Sequence, residues 1–292
     1  MFSLDWNNGE CINQPECDGS TRGKNIMIRL IFPFIAALMM HSLVCAQTPD
    51  SADIAKLFQG HNGAFVLYDK IKNEYFKYNQ ERCAERFLPA STYKIPNALI
   101  GLETGVIPDS DYVIKWDGKP KQFKEWERDH DLKSAMQFSV VWYFQELARR
   151  VGREREQHLL DTLDYGNKTI GENVDRFWLD NSLQISADEQ VEFLKKLYGE
   201  TLPFSKRSMK IVRDIMSSEE IGDAKIKFKT GTGHIEDPVR RTDHFIAWLV
   251  GFVENGNNVY VFAFNADGKD FNAVSELRNT VPKEIMKMLG IL

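Results

Sequence analysis

The chain has 292 residues, of which 43% are hydrophobic and 27% are charged, so it can bury a sizeable core and is not a disordered chain. Its formal net charge of −5 at pH 7 argues against the basic face with which proteins bind nucleic acid. The six histidines are scattered, and no pair of cysteines or histidines has metal-ligand spacing, so we expect no metal site.

Residues 1–46 have the pattern of an N-terminal extension with a secretory signal. The basic residues Lys24 and Arg29 precede an apolar run at 30–40, which is too short for a membrane span. Val44-Cys45-Ala46 then follows as a cleavage site. We therefore predict cleavage near Ala46 and export to the periplasm or the medium, with no membrane anchoring afterwards. An uncleaved anchor, a buried helix and a lipidated Cys45 are the alternatives.

Cleavage there leaves one domain, residues 47–292, as the predicted functional unit. Met27 is a candidate natural start, because the residues before it are polar and untypical of a signal. Cys83 is the single cysteine of this domain, so no internal disulfide can form and the core has to supply the stability.

The domain is predicted to begin with a β-hairpin and a helix. Residues 63–69 have the composition of a strand, residues 70–74 form a turn, and residues 75–78 return as a second strand. A helix then covers residues 91–104 and ends at Gly105, a typical helix stop.

The middle of the chain is predicted to be helical, and its last third returns to strands. Periodic apolar residues predict helices over 131–151 and 188–198. The C-terminal strands are rich in β-branched and aromatic residues, and a tight turn at 255–258 joins the last two. The three strands cover 225–229, 245–254 and 259–265, and a last helix covers 273–289.

Strands near both ends of the domain therefore flank a helical middle, which predicts an α+β fold. In this fold one antiparallel sheet is built from both chain ends and is flanked by helices. A helical lobe is inserted in the chain between the strands of the two ends. A cleft is expected where the sheet and the lobe meet.

Ser91-Thr92-Tyr93-Lys94 is the first candidate for chemistry. A serine hydroxyl becomes a good nucleophile only beside a base, and a spacing of three on a helix brings Ser91 and Lys94 within mutual reach. Apolar residues follow Lys94, so we expect its amine to be buried, and burial lowers the pKa of a lysine toward that of a base. A solvated helix face is the alternative for this pair.

Lys229-Thr230-Gly231, followed by Thr232, lies at the end of a predicted strand. The lysine supplies positive charge, the threonine hydroxyl can bind a carboxylate or a carbonyl oxygen, and the glycine lets a ligand or a neighbouring backbone approach closely. An exposed strand end that leads into a turn is the alternative.

Three shorter elements lie between these two. Ser139, in Phe138-Ser139-Val140-Val141, can pass a proton to a leaving amine, or it caps a helix. Trp178, in Phe177-Trp178-Leu179, offers one indole N–H from an apolar wall, or it is a plain core residue. Tyr165-Gly166-Asn167 is typical of a turn. Each element is weak alone, but all of them in one secreted chain are not expected by chance.

From about residue 60 to the C-terminus, these elements closely resemble the class D β-lactamases, or oxacillinases. Tyr165-Gly166-Asn167 and Trp178 separate this class from other serine β-lactamases, which share only the Ser-x-x-Lys and Lys-Thr-Gly elements. The resemblance implies a secreted enzyme that hydrolyses the lactam amide of β-lactam antibiotics. It also implies the fold of the serine β-lactamases and penicillin-binding transpeptidases.

The resemblance further implies the catalytic roles of the matching residues. Ser91 attacks the lactam carbonyl and forms an acyl-enzyme, and Lys94 carries a carbamate, made from carbon dioxide, that acts as general base. The Trp178 indole N–H donates a hydrogen bond to this carbamate. Ser139 relays a proton to the lactam nitrogen, and the backbone N–H groups of Ser91 and Thr232 form the oxyanion hole.

The substrate-binding residues follow from the same resemblance. Lys229-Thr230-Gly231 binds the substrate carboxylate, and Val141 keeps the carbamate site dry. Arg278 stands where the family places an arginine near the start of the last helix, which also grips the carboxylate, and an exposed helix arginine is the alternative. Residues 233–243 are charged where the family has a tighter hairpin, which leaves the substrate range open.

Beyond carbon dioxide no cofactor is implied, and a homodimer is compatible with the family, in which dimers are common. Two other functions remain open. A β-lactam sensor domain stops at the acyl-protein and is expected to follow a long multi-span region, whereas this chain has one short apolar run. A penicillin-binding cell-wall peptidase shares two of the motifs but needs neither Trp178 nor a carbamate.

Overall fold

The computed structural model describes residues 49–237 and 242–292, so the predicted signal within 1–46 lies outside the described residues. The strands are β1 (Gly63–Asp69), β2 (Glu74–Tyr78), β3 (Ser217–Ile221), β4 (Ala224–Asp237), β5 (Thr242–Asn255) and β6 (Asn258–Gly268). They form one antiparallel sheet in the order β2-β1-β6-β5-β4-β3. The pairing of β1 with β6 joins the two ends of the domain, as predicted.

Helices fill the chain between β2 and β3 and also stand at both ends of the described chain. They are α1 (Ser51–Leu57), α2 (Gln80–Ala84), α3 (Lys94–Glu103), α4 (Leu132–Gln137), α5 (Val141–Val151), α6 (Arg153–Leu163), α7 (Ala187–Tyr198), α8 (Lys206–Ile215) and α9 (Phe271–Met288). Short 3-10 turns cover Ala90–Tyr93 and Lys124–Trp126. The sequence pattern does not predict α1, α2, α6, α8 or β3. Within the described ranges, no helix is long and apolar enough to cross a membrane.

The two faces of the sheet pack against different helices because side chains alternate along each strand. In β1, Ala64 and Val66 belong to the core shared with the helical lobe, whereas Phe65 and Leu67 belong to the core shared with α1 and α9. This two-faced packing confirms the predicted α+β class, with a sheet between terminal helices and an inserted lobe.

The β4–β5 hairpin is longer than the sequence predicts. Both strands continue through most of 233–243, and their last pair is Asp237 with Thr242. The composition of the sequence predicts that the strand ends at Lys229. The strand continues because its backbone forms hydrogen bonds with β5, and these bonds do not depend on the type of side chain. The predicted turn at 255–258 is confirmed, since Asn255 pairs with Asn258.

The structure differs from the prediction in the two helices that contain Ser91 and Ser139. Ser91 lies in a 3-10 turn, and the α-helix proper begins at Lys94. The single helix predicted over 131–151 is wrong, because α4 and α5 are separated at Ser139, which adopts a left-handed backbone with φ of 54°. The apolar periodicity of residues 131–151 continues across Ser139, so the sequence pattern does not reveal the break.

The core of the lobe contains one carboxyl group that sequence analysis does not single out. Glu156 of α6 is fully buried, and its Oε1 accepts a hydrogen bond of 2.7 Å from the Tyr93 hydroxyl. Its Oε2 has no hydrogen-bond partner among the described residues. Burial raises the pKa of Glu156 from 4.5 to about 7, although the bond from Tyr93 acts in the opposite direction.

This raised pKa predicts a pH-dependent cost to stability. In the unfolded chain Glu156 ionises near its ordinary pKa of 4.5, whereas the folded chain holds the proton up to about pH 7. Unfolding therefore releases a proton between those pH values, and the free energy of unfolding falls by about 3 kcal/mol as pH rises through them. Glu156→Gln cannot ionise, so in urea unfolding we expect its stability relative to the native chain to rise by about 2–3 kcal/mol from pH 4.5 to pH 7.5.

Glu154→Gln, on the exposed side of the same helix, controls for the loss of a carboxyl group as such. A stability difference between Glu156→Gln and the native chain that stays constant with pH would show that the buried carboxyl does not hold its proton.

Candidate active site

The 3-10 turn Ala90–Tyr93 lies directly against the middle of β4, and Gly231 makes this approach possible. A Cβ atom at Gly231 would stand 3.0 Å from the Pro89 carbonyl oxygen and 3.3 Å from the Ser91 nitrogen. Any larger residue would therefore push the strand from the turn. The close approach sets Lys229, two residues earlier, beside the lobe that carries Ser91.

The backbone around Ser91 is held by several local contacts. Ala90 adopts a left-handed conformation with φ of 48°, which costs an L-residue about 1–2 kcal/mol. Thr92 compensates by donating to the Pro89 carbonyl from both its nitrogen, at 3.1 Å, and its hydroxyl, at 2.7 Å. The Trp248 indole of β5 donates to the Leu88 carbonyl at 2.9 Å. The serine therefore stands on a strained but well-anchored turn.

Ser91 and Lys94 form the centre of the site. The Lys94 Nζ and the Ser91 Oγ lie 2.6 Å apart, and Lys94 has no exposed surface. Burial lowers the pKa of Lys94 well below its usual range, and the positive charge of Lys229 lowers it further. A neutral amine at this distance can accept the serine proton, so the solvated helix face considered as an alternative is wrong.

A second hydroxyl–amine pair faces the first. The Lys229 Nζ donates to the Ser139 Oγ and to the Thr230 carbonyl, each at 3.0 Å. Burial, assisted by Arg278, lowers the pKa of Lys229 to about 7. The alternative that Ser139 caps a helix is wrong, because α5 has Val140 at its cap position, with no side-chain capping bond.

Tyr165-Gly166-Asn167 fastens the loop that carries Trp178. The Asn167 Nδ2 donates to the Ser182 carbonyl at 2.8 Å, and its Oδ1 accepts from the Gln184 nitrogen at 3.0 Å. At Gly166, φ is 57° and a Cβ would stand 2.1 Å from the Gln184 carbonyl oxygen. The turn predicted from these three residues therefore binds and packs against the segment that follows Trp178.

Trp178 is fully buried, and its Nε1–H has no hydrogen-bond partner among the described residues. Its indole stacks on the Tyr93 ring, with centroids 5.3 Å apart and planes at 23°. Phe177 meets the indole edge-on at 5.0 Å. An unpaired donor in an apolar wall costs free energy unless an acceptor reaches it, so the Trp178 N–H is free to bind one.

Arg278 extends from α9 across the end of the site. Its Nη1 donates to the Thr232 hydroxyl and, at 3.4 Å, to the Gly231 carbonyl. Burial lowers the pKa of Arg278, and its Nε is buried without a partner in the described chain. The alternative of an exposed helix arginine is therefore wrong. Val141 begins α5 and is half-buried, whereas its neighbour Val140 is fully buried.

The structure thus brings most of the predicted site residues into one place. Hydrogen bonds join Ser91 to Lys94, Lys229 to Ser139, and Arg278 to Thr232. Chemically, such an arrangement can supply a nucleophile beside a buried base, a second pair that exchanges a proton, and cationic donors for an anion. Among the residues described, no three side chains of histidine, cysteine, aspartate or glutamate are grouped as metal ligands.

Several residues that help to hold the site in place are not predicted from the sequence. The Trp248 bond to Leu88 and the Gln190 bond to the Thr92 hydroxyl, at 2.9 Å, link distant segments and leave no local signal. Glu156 does have a local sequence signal, because it precedes Leu160 and Leu163 by four and seven residues, which is the spacing of a buried helix face.

Comparisons with known proteins agree with this geometry. A family model described as penicillin binding protein transpeptidase domain matches residues 55–287. The chain is 44% identical over 230 residues to the Beta-lactamase OXA-48 of Klebsiella pneumoniae, an alignment that covers 79% of this chain and 84% of that protein.

Two solved structures extend the comparison. FUS-1 (OXA-85), a class D β-lactamase of Fusobacterium nucleatum subsp. polymorphum, matches with a TM-score of 0.78 and 36% identity over 84% of this chain and 100% of its own. The C-terminal domain of the Bacillus licheniformis BlaR penicillin-receptor matches with a TM-score of 0.76 and 36% identity over 84% of this chain and 96% of its own. The predicted likeness to serine β-lactamases and penicillin-binding transpeptidases is confirmed.

Proposed function

This chain belongs to the class D β-lactamases, and from that membership we propose that it destroys β-lactam antibiotics through an acyl-enzyme on Ser91, with a carbamate on Lys94 as general base. The family relationship makes the chain a β-lactamase hydrolase. The observation that carries the residue assignment is the 2.6 Å contact between the Ser91 Oγ and the buried Lys94 Nζ.

The lowered pKa of Lys94 supports the carbamate. Only a neutral amine adds carbon dioxide: its nitrogen lone pair attacks the carbon, one C–O π bond becomes the carbamate oxyanion, and a proton leaves the nitrogen. The new anion needs donors in a dry site. The buried and unpaired Nε1–H of Trp178 is suited to that task, and Val141 is suited to shielding the group from water.

In the proposed reaction the carbamate takes the Ser91 proton as the hydroxyl attacks the lactam carbonyl. The backbone N–H groups of Ser91 and Thr232 stabilise the oxyanion. Ser139 delivers a proton to the lactam nitrogen, and the Lys229 amine, 3.0 Å from its hydroxyl, resupplies it. After it releases this proton to solvent, the carbamate takes a proton from the water that attacks the ester carbonyl, and it returns that proton to the Ser91 Oγ as the acyl group leaves.

The carboxylate of the β-lactam is the proposed partner of the cationic end of the site. Lys229 and Arg278 supply charge, Thr230 supplies a hydroxyl, and Gly231 lets the strand that carries these groups approach the turn of Ser91. The chemistry calls for no metal, organic cofactor or nucleic-acid partner. A homodimer is compatible with it.

A β-lactam sensor is the second candidate, and the similarity to the BlaR receptor domain is the observation that favours it. A sensor and a hydrolase share acylation of the serine and differ in whether the acyl group is released. A cell-wall peptidase with the same transpeptidase domain would also be held at the acyl stage by penicillin. Turnover therefore separates the proposed function from both.

Turnover of a chromogenic cephalosporin, followed with and without bicarbonate, tests the proposal. After carbon dioxide is stripped from the buffer, we expect native activity to fall and added bicarbonate to restore it. Lys94→Ala should lose about 100- to 10,000-fold in kcat/KM, the usual contribution of a general base, and bicarbonate should not rescue it. Ser91→Ala controls for hydrolysis that does not use the enzyme's nucleophile. A single stoichiometric burst without turnover would instead identify a sensor or a cell-wall enzyme.

The role of Arg278 has a separate test. Arg278→Ala removes a charge-assisted contact to the substrate carboxylate, so we expect KM to rise about 10- to 100-fold with a much smaller change in kcat. Lys287→Ala, an exposed cation on the same helix, is the matched control. If both variants shift KM equally, the effect is one of general charge, and Arg278 does not bind the carboxylate.

We also propose that the signal is removed near Ala46, which leaves residues 47–292 as the exported enzyme. Mass spectrometry of the protein recovered from the periplasm of an expressing bacterium should then give a mature N-terminus at Gln47. A protein that keeps residues 30–40, or one carrying lipid on Cys45, would contradict this.

A further inference from the structure

A buried tyrosine–glutamate pair lies directly behind the proposed base. Tyr93 immediately precedes Lys94 in the chain, and its hydroxyl donates to the Glu156 Oε1 at 2.7 Å. Both residues are fully buried, and they come from different elements, the 3-10 turn and α6. The bond therefore fixes the tip of the Tyr93 side chain to a helix of the lobe.

The ring of Tyr93 is in turn the surface on which Trp178 rests. Its centroid lies 5.3 Å from that of the indole in a stacked arrangement. Phe177 and Tyr165 meet the same ring edge-on, at 5.0 Å and 5.8 Å. A stacked indole follows the plane of the ring beneath it, so any tilt of Tyr93 changes the direction of the Trp178 N–H.

We propose that Glu156 is a positioning residue for the lysine base: it anchors the Tyr93 hydroxyl, the anchored ring orients Trp178, and the indole N–H is thereby aimed at the carbamate on Lys94. This proposal rests on the proposed function, because the carbamate is the group that the indole would bind. Glu156 itself touches neither substrate nor reacting atoms.

Packing alone does not account for the pair. A buried carboxyl with one unpartnered oxygen destabilises a fold, and an apolar pair of similar volume would fill the same space at lower cost. What the polar pair adds is direction, since a hydrogen bond fixes the tyrosine tip where apolar contacts would let it shift. The indole needs such direction because a hydrogen bond weakens steeply as its angle closes.

The test measures how much bicarbonate each full-length variant needs for half-maximal turnover. Glu156→Met leaves the Tyr93 hydroxyl without its acceptor, and Tyr93→Phe removes the hydroxyl. For each we expect the half-maximal bicarbonate concentration to rise about fivefold, the value of one hydrogen bond, while turnover at saturating bicarbonate changes less than about twofold. Because the two residues act as one unit, the double variant should need no more bicarbonate than the single variants.

Two further variants separate positioning from mere structure. Glu156→Gln keeps an acceptor for the Tyr93 hydroxyl and should retain the native bicarbonate requirement. Tyr198→Phe removes another tyrosine hydroxyl that donates to a glutamate, Glu254, at 3.0 Å, and it should leave the requirement unchanged. Carbon-13 NMR with labelled bicarbonate measures carbamate occupancy on the same samples, and it should fall in step with activity.

Each outcome bears on one proposal or on both. Native-like bicarbonate requirements in Glu156→Met and Tyr93→Phe would overturn the positioning role and leave the carbamate mechanism standing. A native enzyme with neither a carbamate resonance nor a bicarbonate dependence would overturn the carbamate and the positioning role together. If Tyr93→Phe does not fold, Glu156→Met against Glu156→Gln decides the question alone.

Discussion

The amine of Lys94 has no surface exposed to water, and its hydrogen-bonding contact is the Ser91 hydroxyl at 2.6 Å. An unpaired ammonium in such a place would cost several kcal/mol, so burial favours the neutral amine and lowers the pKa of Lys94. The Phe144 ring lies 5.6 Å from that nitrogen and favours the charged form, but burial has the larger effect and lowers the pKa of Lys94. The proposed role of Lys94 as a base depends on keeping this one atom dry.

The sheet topology supplies the dryness and the distances. Because β1 from the start of the domain pairs with β6 from its end, the strands that precede Ser91 and the strand that carries Lys229 belong to one sheet. Gly231 then lets β4 approach the 3-10 turn to about the limit of atomic contact. Backbone packing therefore sets where the two lysines leave the main chain, and hydrogen bonds hold their amines in place.

The sequence predicts the parts of this arrangement that local chemistry determines. Composition and periodicity locate β1, β2 and α7 closely, and motif spacing locates Ser91, Lys94 and Lys229. It fails where tertiary contacts override local pattern: the left-handed residue at Ser139 interrupts a periodic stretch, and the ladder beyond Lys229 extends through charged residues. The bond between Tyr93 and Glu156 joins residues 63 positions apart, and no spacing rule connects them.

The cationic groups of the site form a series in which each lowers the pKa of the next. Arg278 lowers that of Lys229, and Lys229 lowers that of Lys94, in each case after the larger effect of burial. Such a site is short of negative charge. The proposed carbamate and the substrate carboxylate each add one anion, the first at the buried end and the second at the open end. Positive charge at Lys229 and Arg278 therefore favours the binding of an anion, which in turn favours the charged form of these two groups.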